Sequence, residues 1–298
     1  MSYDFSSGIE LVKLCDEEGI KISEAMIRRE EEIGDLTRDK IIAEMRLSLR
    51  VMRESVKKGL TEKVQSVSRL TGGEAMNLYR YGDLDPFSGA ETCHAAAAAM
   101  AVVEVNAAMG RIVAAPTAGA SGILPGVLLE NAKTRGWDDD MLIDGLFCAG
   151  AIGMLFARNA TISGAEGGCQ AETGVGAAMA AAALVELSGG EPMQVLDAAA
   201  IAIKNIEGLV CDPVAGLVEC PCIKRNAMGA ANALISADMA LCGITSLIPF
   251  DEVVTSMYSV GREIRPEYRE TAKGGLAATP TGKLIAAGIK RMNGRRED

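Results

Sequence analysis

Aromatic residues are scarce in this chain of 298: five Tyr, five Phe and a single Trp, Trp137, together 4%. A core without large rings is filled by small side chains, so helices are expected at close range, with backbones near each other and near any buried ligand. Positive charge is in deficit, with 30 Lys and Arg against 40 Asp and Glu and a net charge of −10. That excludes a nucleic-acid backbone as partner, because phosphates need a basic surface. The basic residues Lys290, Arg291, Arg295 and Arg296 are diluted by Glu297 and Asp298, and read as a solvated tail. No apolar run reaches the roughly eighteen residues of a membrane span: Ala95–Val103 ends at Glu104, and Ala177–Val185 ends at Glu186. The start, Met-Ser-Tyr-Asp-Phe-Ser-Ser-Gly, lacks the basic segment and apolar run of a secretory signal. The eight cysteines are therefore expected in a reduced, cytoplasmic setting, available for metal. There is no Walker loop, no dinucleotide fingerprint after a strand, no G-x-S-x-G elbow and no lysine in a pyridoxal-phosphate setting.

What is abundant is small. Glycine stands at 33 of 298, about 11% against a usual ~7%, and alanine is plentiful. Apolar residues at 49% suffice for a large core, in one domain or two. The pattern is helical. Ser23 is positioned to cap a segment that stops at Gly34. Asp35 or Thr37 opens a longer one, whose Ile41, Met45, Leu49, Met52 and Val56 form one stripe, with Gly59 at its end. Further helices are expected at Glu91–Met109, Ile123–Glu130, from Asp139 to about Arg158, Ala177–Leu187, Met193–Gly208, Ala227–Leu241 and Asp251–Arg262. No alternating strand pattern and no repeat period stands out, so the class is all-α.

Three cysteines lie apart from this pattern. Cys169, in Gly-Ala-Glu-Gly-Gly-Cys-Gln, Cys211, opening Cys-Asp-Pro-Val-Ala-Gly, and Cys222, in Glu-Cys-Pro-Cys-Ile, each lie within two residues of Gly or Pro in expected loops. A loop rarely buries a side chain for packing alone. Cys15, Cys93, Cys148 and Cys242 instead fall in apolar helical stripes and read as small core residues. Three thiolates suit an iron–sulfur cluster with one iron free for Lewis-acid chemistry. Cys220-Pro221-Cys222 also hints at zinc, although the only His is His94. Spacing alone leaves an iron–sulfur cluster, zinc and no metal all open. A second element, Pro116-Thr117-Ala118-Gly119-Ala120-Ser121-Gly122, opens onto a helix and reads as either a cap and turn or a seat for a carboxylate.

The strings EVNAAMGRIVAAPTAGASGILPG, SGAEGGCQAETG, CDPVAGLVECPCIKRNA and REIRPEYRETAKGGLAATPTG closely resemble the α chain of the iron–sulfur-dependent L-serine dehydratases, in order and over nearly the whole chain. The resemblance implies one all-helical catalytic domain over 1–298, with a helical N-terminal layer at about 1–80 and a cluster-binding core at about 90–285. It implies a [4Fe–4S] cluster held by Cys169, Cys211 and Cys222, with Cys220 just outside the pattern, and L-serine cleaved to pyruvate and ammonia. Substrate would be held by Thr117, Ala118, Gly119, Ser121 and Gly122. Single-chain members begin with a smaller α+β domain bearing a Ser-Ser-Ser-His-Thr motif, whose His is implied as the base. This sequence has no such motif, so a β chain is the expected source of the base. Single-chain members can also place a C-terminal Cys on the open iron, and Asn293–Asp298 contains none. Alternatives are a cysteine desulfidase of the same superfamily, and a non-catalytic electron-transfer or sensor protein, which would favour a fully ligated cluster.

Overall fold

Two alanine-rich helices form the centre of the fold. The computed structural model describes residues 2–294. Its helices are α1 (Gly8–Glu18), α2 (Ile22–Gly34), α3 (Arg38–Thr61), α4 (Glu74–Tyr81), α5 (Ala90–Ala107), α6 (Ile123–Arg135), α7 (Asp139–Asn159), the single turn α8 (Gly164–Gly167), α9 (Val175–Leu187), α10 (Pro192–Lys204), α11 (Cys222–Leu241), α12 (Phe250–Glu263) and α13 (Pro280–Gly294). There is no strand among the described residues, only an isolated parallel bridge between Cys211 and Arg269. The fold is all-α.

In α9 every residue from Val175 to Glu186 is buried, and in α5 so is every residue from Ala95 to Val105. With alanine prevailing on both, neighbouring helices come close. Helix α9 packs on α6, α7, α10 and α11, and α5 packs on α3, α4, α6 and α11. Glycines mark the closest approaches. A methyl group at Gly122 would overlap the Ala99 carbonyl of α5, and one at Gly126 would lie 2.5 Å from the Ala99 nitrogen. Helix α1 lies against α10 and α12, and α2 against α7. Phe5, Leu11, Ile22 and Leu49 thereby join one continuous core with Ile152, Val185 and Val254.

Several expected boundaries shift, for local reasons. Ser23 does not cap α2: it sits inside the helix, buried, and its N–H donates to Glu186 of α9 at 3.2 Å. A carboxylate from a neighbouring helix thus does the capping. Gly59 does not end α3; it lies within the last turn because a Cβ there would stand 2.5 Å from the Ala101 carbonyl of α5. Helix α11 starts at Cys222, five residues before its expected start, and α13 was not expected. Cys15, Cys93 and Cys148 are buried in helices, but Cys242 is exposed, just past the end of α11. Helix α7, 21 residues long, has the length and apolarity of a bilayer span, which the run-length reading missed, yet it packs between α2 and α9 as core. Lys290 and Arg291 lie on α13, whereas Arg295, Arg296, Glu297 and Asp298 lie outside the described residues.

Candidate active site

Three separate segments bring their thiols near enough to act on one another electrostatically. Cys169 follows Gly168, whose φ of 75° is a left-handed conformation that favours glycine, and precedes a π turn over Gln170–Gly174. The widened turn is held from behind. Gln170 accepts the Gly208 N–H (2.8 Å) and donates to the Met257 carbonyl (2.8 Å). Cys211 is clamped by the C-terminal segment: its N–H donates to the Tyr268 carbonyl, and its carbonyl accepts from the Glu270 N–H, both at 2.8 Å. Cys222 is the first residue of α11, where the positive end of the helix dipole favours a negative sulfur.

All three side chains are buried. Burial pushes each thiol up, that of Cys222 to about 12, and the sulfurs raise one another where they approach. Without metal they are therefore thiols, and a bound cation would displace their protons. The Arg225 guanidinium lies close enough to Cys169 to pull the other way, while bonded to the Asp212 carboxylate and the Val210 carbonyl, both at 2.8 Å. Cys169 Sγ is 3.0 Å from the Thr173 hydroxyl, and Cys211 Sγ is 3.7 Å from Glu172 Oε2.

The donor set fits a cluster. Among the described residues no three His, Cys, Asp or Glu side chains converge on one point, as a tetrahedral zinc ion requires. A cubane would take one thiolate on each of three irons, for which Cys169, Cys211 and Cys222 supply the donors. The backbone at Gly164 closes up against this site: a Cβ there would be 3.1 Å from Cys211 Sγ. Cys220 is only half-buried.

The Thr117–Gly122 loop reaches the same place. Thr117 donates its hydroxyl to Glu172 Oε1 at 2.7 Å. A Cβ on Gly119 would lie 3.3 Å from that oxygen. Thr117, Ala118 and Gly119 are half-buried. Ser121 and Gly122 are buried, with the Ser121 hydroxyl donating to the Ala118 carbonyl (2.8 Å) and the Gly122 N–H to Asn226 Oδ1 (3.0 Å). Asn226 also donates to the carbonyls of Gly119 (2.7 Å) and Cys222 (2.9 Å), tying this loop to the start of α11.

Sequence reasoning singled out neither Glu172 nor Asn226. For Glu172 the only signal was a carboxylate three residues after a candidate ligand. For Asn226 it was an amide one turn into a helix that the pattern started too late. His94, the only histidine, stands elsewhere. Its ring stacks on Tyr79 at 4.4 Å, and Nε2 is 3.3 Å from Asp83 Oδ1, off the line of a hydrogen bond.

The family model described as "Serine dehydratase alpha chain" matches residues 17–277. The "Probable L-serine dehydratase, alpha chain" of Bacillus subtilis is 52% identical, over 93% of this chain and 92% of its own length. The "L-serine dehydratase, alpha chain" of Peptoniphilus asaccharolyticus is 44% identical, over 93% and 95%. The "L-serine dehydratase" of Streptomyces coelicolor is 43% identical over 93% of this chain, which spans only 61% of that protein. A match of this extent to the family, spanning Cys169, Cys211 and Cys222, leaves one conclusion: the chain belongs to the serine dehydratase alpha chains.

Proposed function

We propose that this chain is the cluster-bearing half of a lyase that eliminates water from L-serine, giving pyruvate and ammonia, and that it acts with a β chain. The observation that carries this reading is the approach of buried Cys169, Cys211 and Cys222, from three separate segments, with the Thr117–Gly122 loop tied to Cys222 through Asn226 and to Cys211 through Glu172. These thiols would hold a [4Fe–4S] cluster. When bound, a cluster with one iron free of protein sulfur supplies the Lewis acidity that lets a hydroxyl leave at neutral pH.

The chain's own residues do the rest. The half-buried stretch Thr117–Gly119 seats the substrate carboxylate and fixes its orientation. Asn226 keeps that stretch in register with Cys222. The thiol site lies among buried residues, where water is scarce and charge interactions are stronger. A general base for the α-proton is expected from the β chain, a step typically worth ~10²–10⁴-fold. Two observations favour that source: His94 has its contacts with Tyr79 and Asp83, away from the thiol loops, and relatives named L-serine dehydratase without a chain designation extend well beyond the matched region.

Protein prepared anaerobically should contain about four irons and four sulfides per chain. Cys169→Ala, Cys211→Ala and Cys222→Ala should each lose most of the metal and, assayed with the β chain, turnover of L-serine. Three variants with wild-type iron and activity would reject the assignment. Full turnover by the isolated chain would reject the shared base.

A further inference from the structure

We propose that Glu172 receives the α-ammonium group of the substrate, making it the residue that selects an amino acid over the corresponding hydroxy acid. The inference rests on the reading of the site as an L-serine site.

Glu172 lies on the π turn that follows Cys169, with its carboxylate enclosed between two glycines. A methyl group at Gly164 would overlap Oε2, and one at Gly119 would crowd Oε1. Its described hydrogen-bond donors are the Thr117 hydroxyl on Oε1 (2.7 Å) and the Cys211 thiol on Oε2 (3.7 Å). Among the described residues no Lys or Arg forms an ion pair with it. The charged groups that face it are Glu270, which adds negative charge, and Arg225, which is already bonded to Asp212 and the Val210 carbonyl.

A half-buried carboxylate enclosed by backbone and without a cationic partner gains from a ligand that supplies one. An α-ammonium brings a positive charge and three donors. In an α-amino acid the ammonium and carboxylate sit on one carbon. The Thr117–Glu172 hydrogen bond places the acceptor for the first beside the loop that would seat the second. A carboxylate serving only to brace that loop would treat all ligands of the same shape alike. That difference makes the two roles separable.

The test uses the assembled α–β enzyme, with L-serine and L-glycerate, which carries a hydroxyl in place of the ammonium. Binding is read from the ligand-dependent change in the electron paramagnetic spectrum of the reduced cluster, with iron content measured on each sample. Wild type should prefer L-serine. Glu172→Gln should weaken L-serine by ~30-fold or more, the usual scale for removing one partner of a desolvated charge pair, and leave L-glycerate within about threefold (roughly 0.65 kcal/mol). Glu172→Asp should fall between. Equal losses for both ligands, or an unchanged preference, would overturn the assignment. So would a Glu172→Gln protein that cannot retain iron, since the carboxylate would then serve cluster retention. Failure of the underlying reading would show earlier, as wild-type protein that holds no iron or does not respond to L-serine.

Discussion

Replacing Asn226 with Ala tests whether the two halves of the site are held in register by one amide. The side chain is fully buried. It links the Gly119 carbonyl, the Gly122 N–H and the Cys222 carbonyl. The Cys222 carbonyl sits at the start of α11 and keeps the helix's own i to i+4 bond, so its loss is minor. The buried Gly122 N–H and the Gly119 carbonyl would have no replacement, at ~1–3 kcal/mol for an orphaned group and about 1 kcal/mol for a lost bond. The expected cost is therefore about 3 kcal/mol, a large part of the roughly 5–15 kcal/mol that holds a domain together. Urea unfolding of the isolated chain should show a lower midpoint with an unchanged slope. Asn226→Asp adds a sign. It keeps an acceptor for Gly122 but turns an anionic oxygen toward two carbonyls, so burial should raise its pKa. Any stability it has is then complete below the unfolded carboxylate pKa and lost as pH rises through the folded value. An Ala variant within about 0.5 kcal/mol of wild type, the scatter of surface changes, would refute the argument. An Asp variant whose deficit ignores pH would refute it as well.

The buried Glu186 carboxylate, held high by burial despite its bond from Ser23, should destabilise the chain as pH climbs above the ordinary carboxylate range. Glu186→Gln should flatten that part of the stability–pH curve, and an unchanged slope in thermal melts would count against it. Asp212 and Arg225 pair at 2.8 Å with little exposure, and Asp212 also accepts the Leu276 N–H at 2.8 Å. Asp212→Ala should cost ~3–5 kcal/mol in urea unfolding, and a loss under 1 kcal/mol would show the pair to be solvated. Gly122→Ala, which drives a methyl group into the α5 backbone, should cost at least ~2 kcal/mol. Gly150→Ala, within α7 and with open space around it, should be neutral or gain up to about 1 kcal/mol. Equal effects at both glycines would undo the close-packing account.

The long helices were legible because their apolar runs or stripes exceed a strand's length: α3, α5, α7 and α9 are where periodicity and composition place them. Their ends were less so. Gly59 carries the signal of a terminator yet serves a helix crossing, and Ser23 carries the signal of a cap yet yields to Glu186. In both cases a tertiary contact overrides a local preference. Helix α13 packs on the short turns Val214–Gly216 and Gly275–Ala278, neighbours that the local pattern does not reveal. At the site, the cysteines stood out through their Gly and Pro surroundings. Glu172 and Asn226 did not, because their importance lies in what approaches them from Thr117 and Gly122, more than fifty residues away in each case.

The clamp on Cys211 has a consequence for how the protein is made. That sulfur is held in place by a strip of backbone at Tyr268 and Glu270, near the far end of the chain. On a growing polypeptide, Cys169 and Cys222 emerge well before the strip that positions the third thiol. The trio therefore takes its final arrangement only after residues 268–270 have emerged, long after all three cysteines have been added.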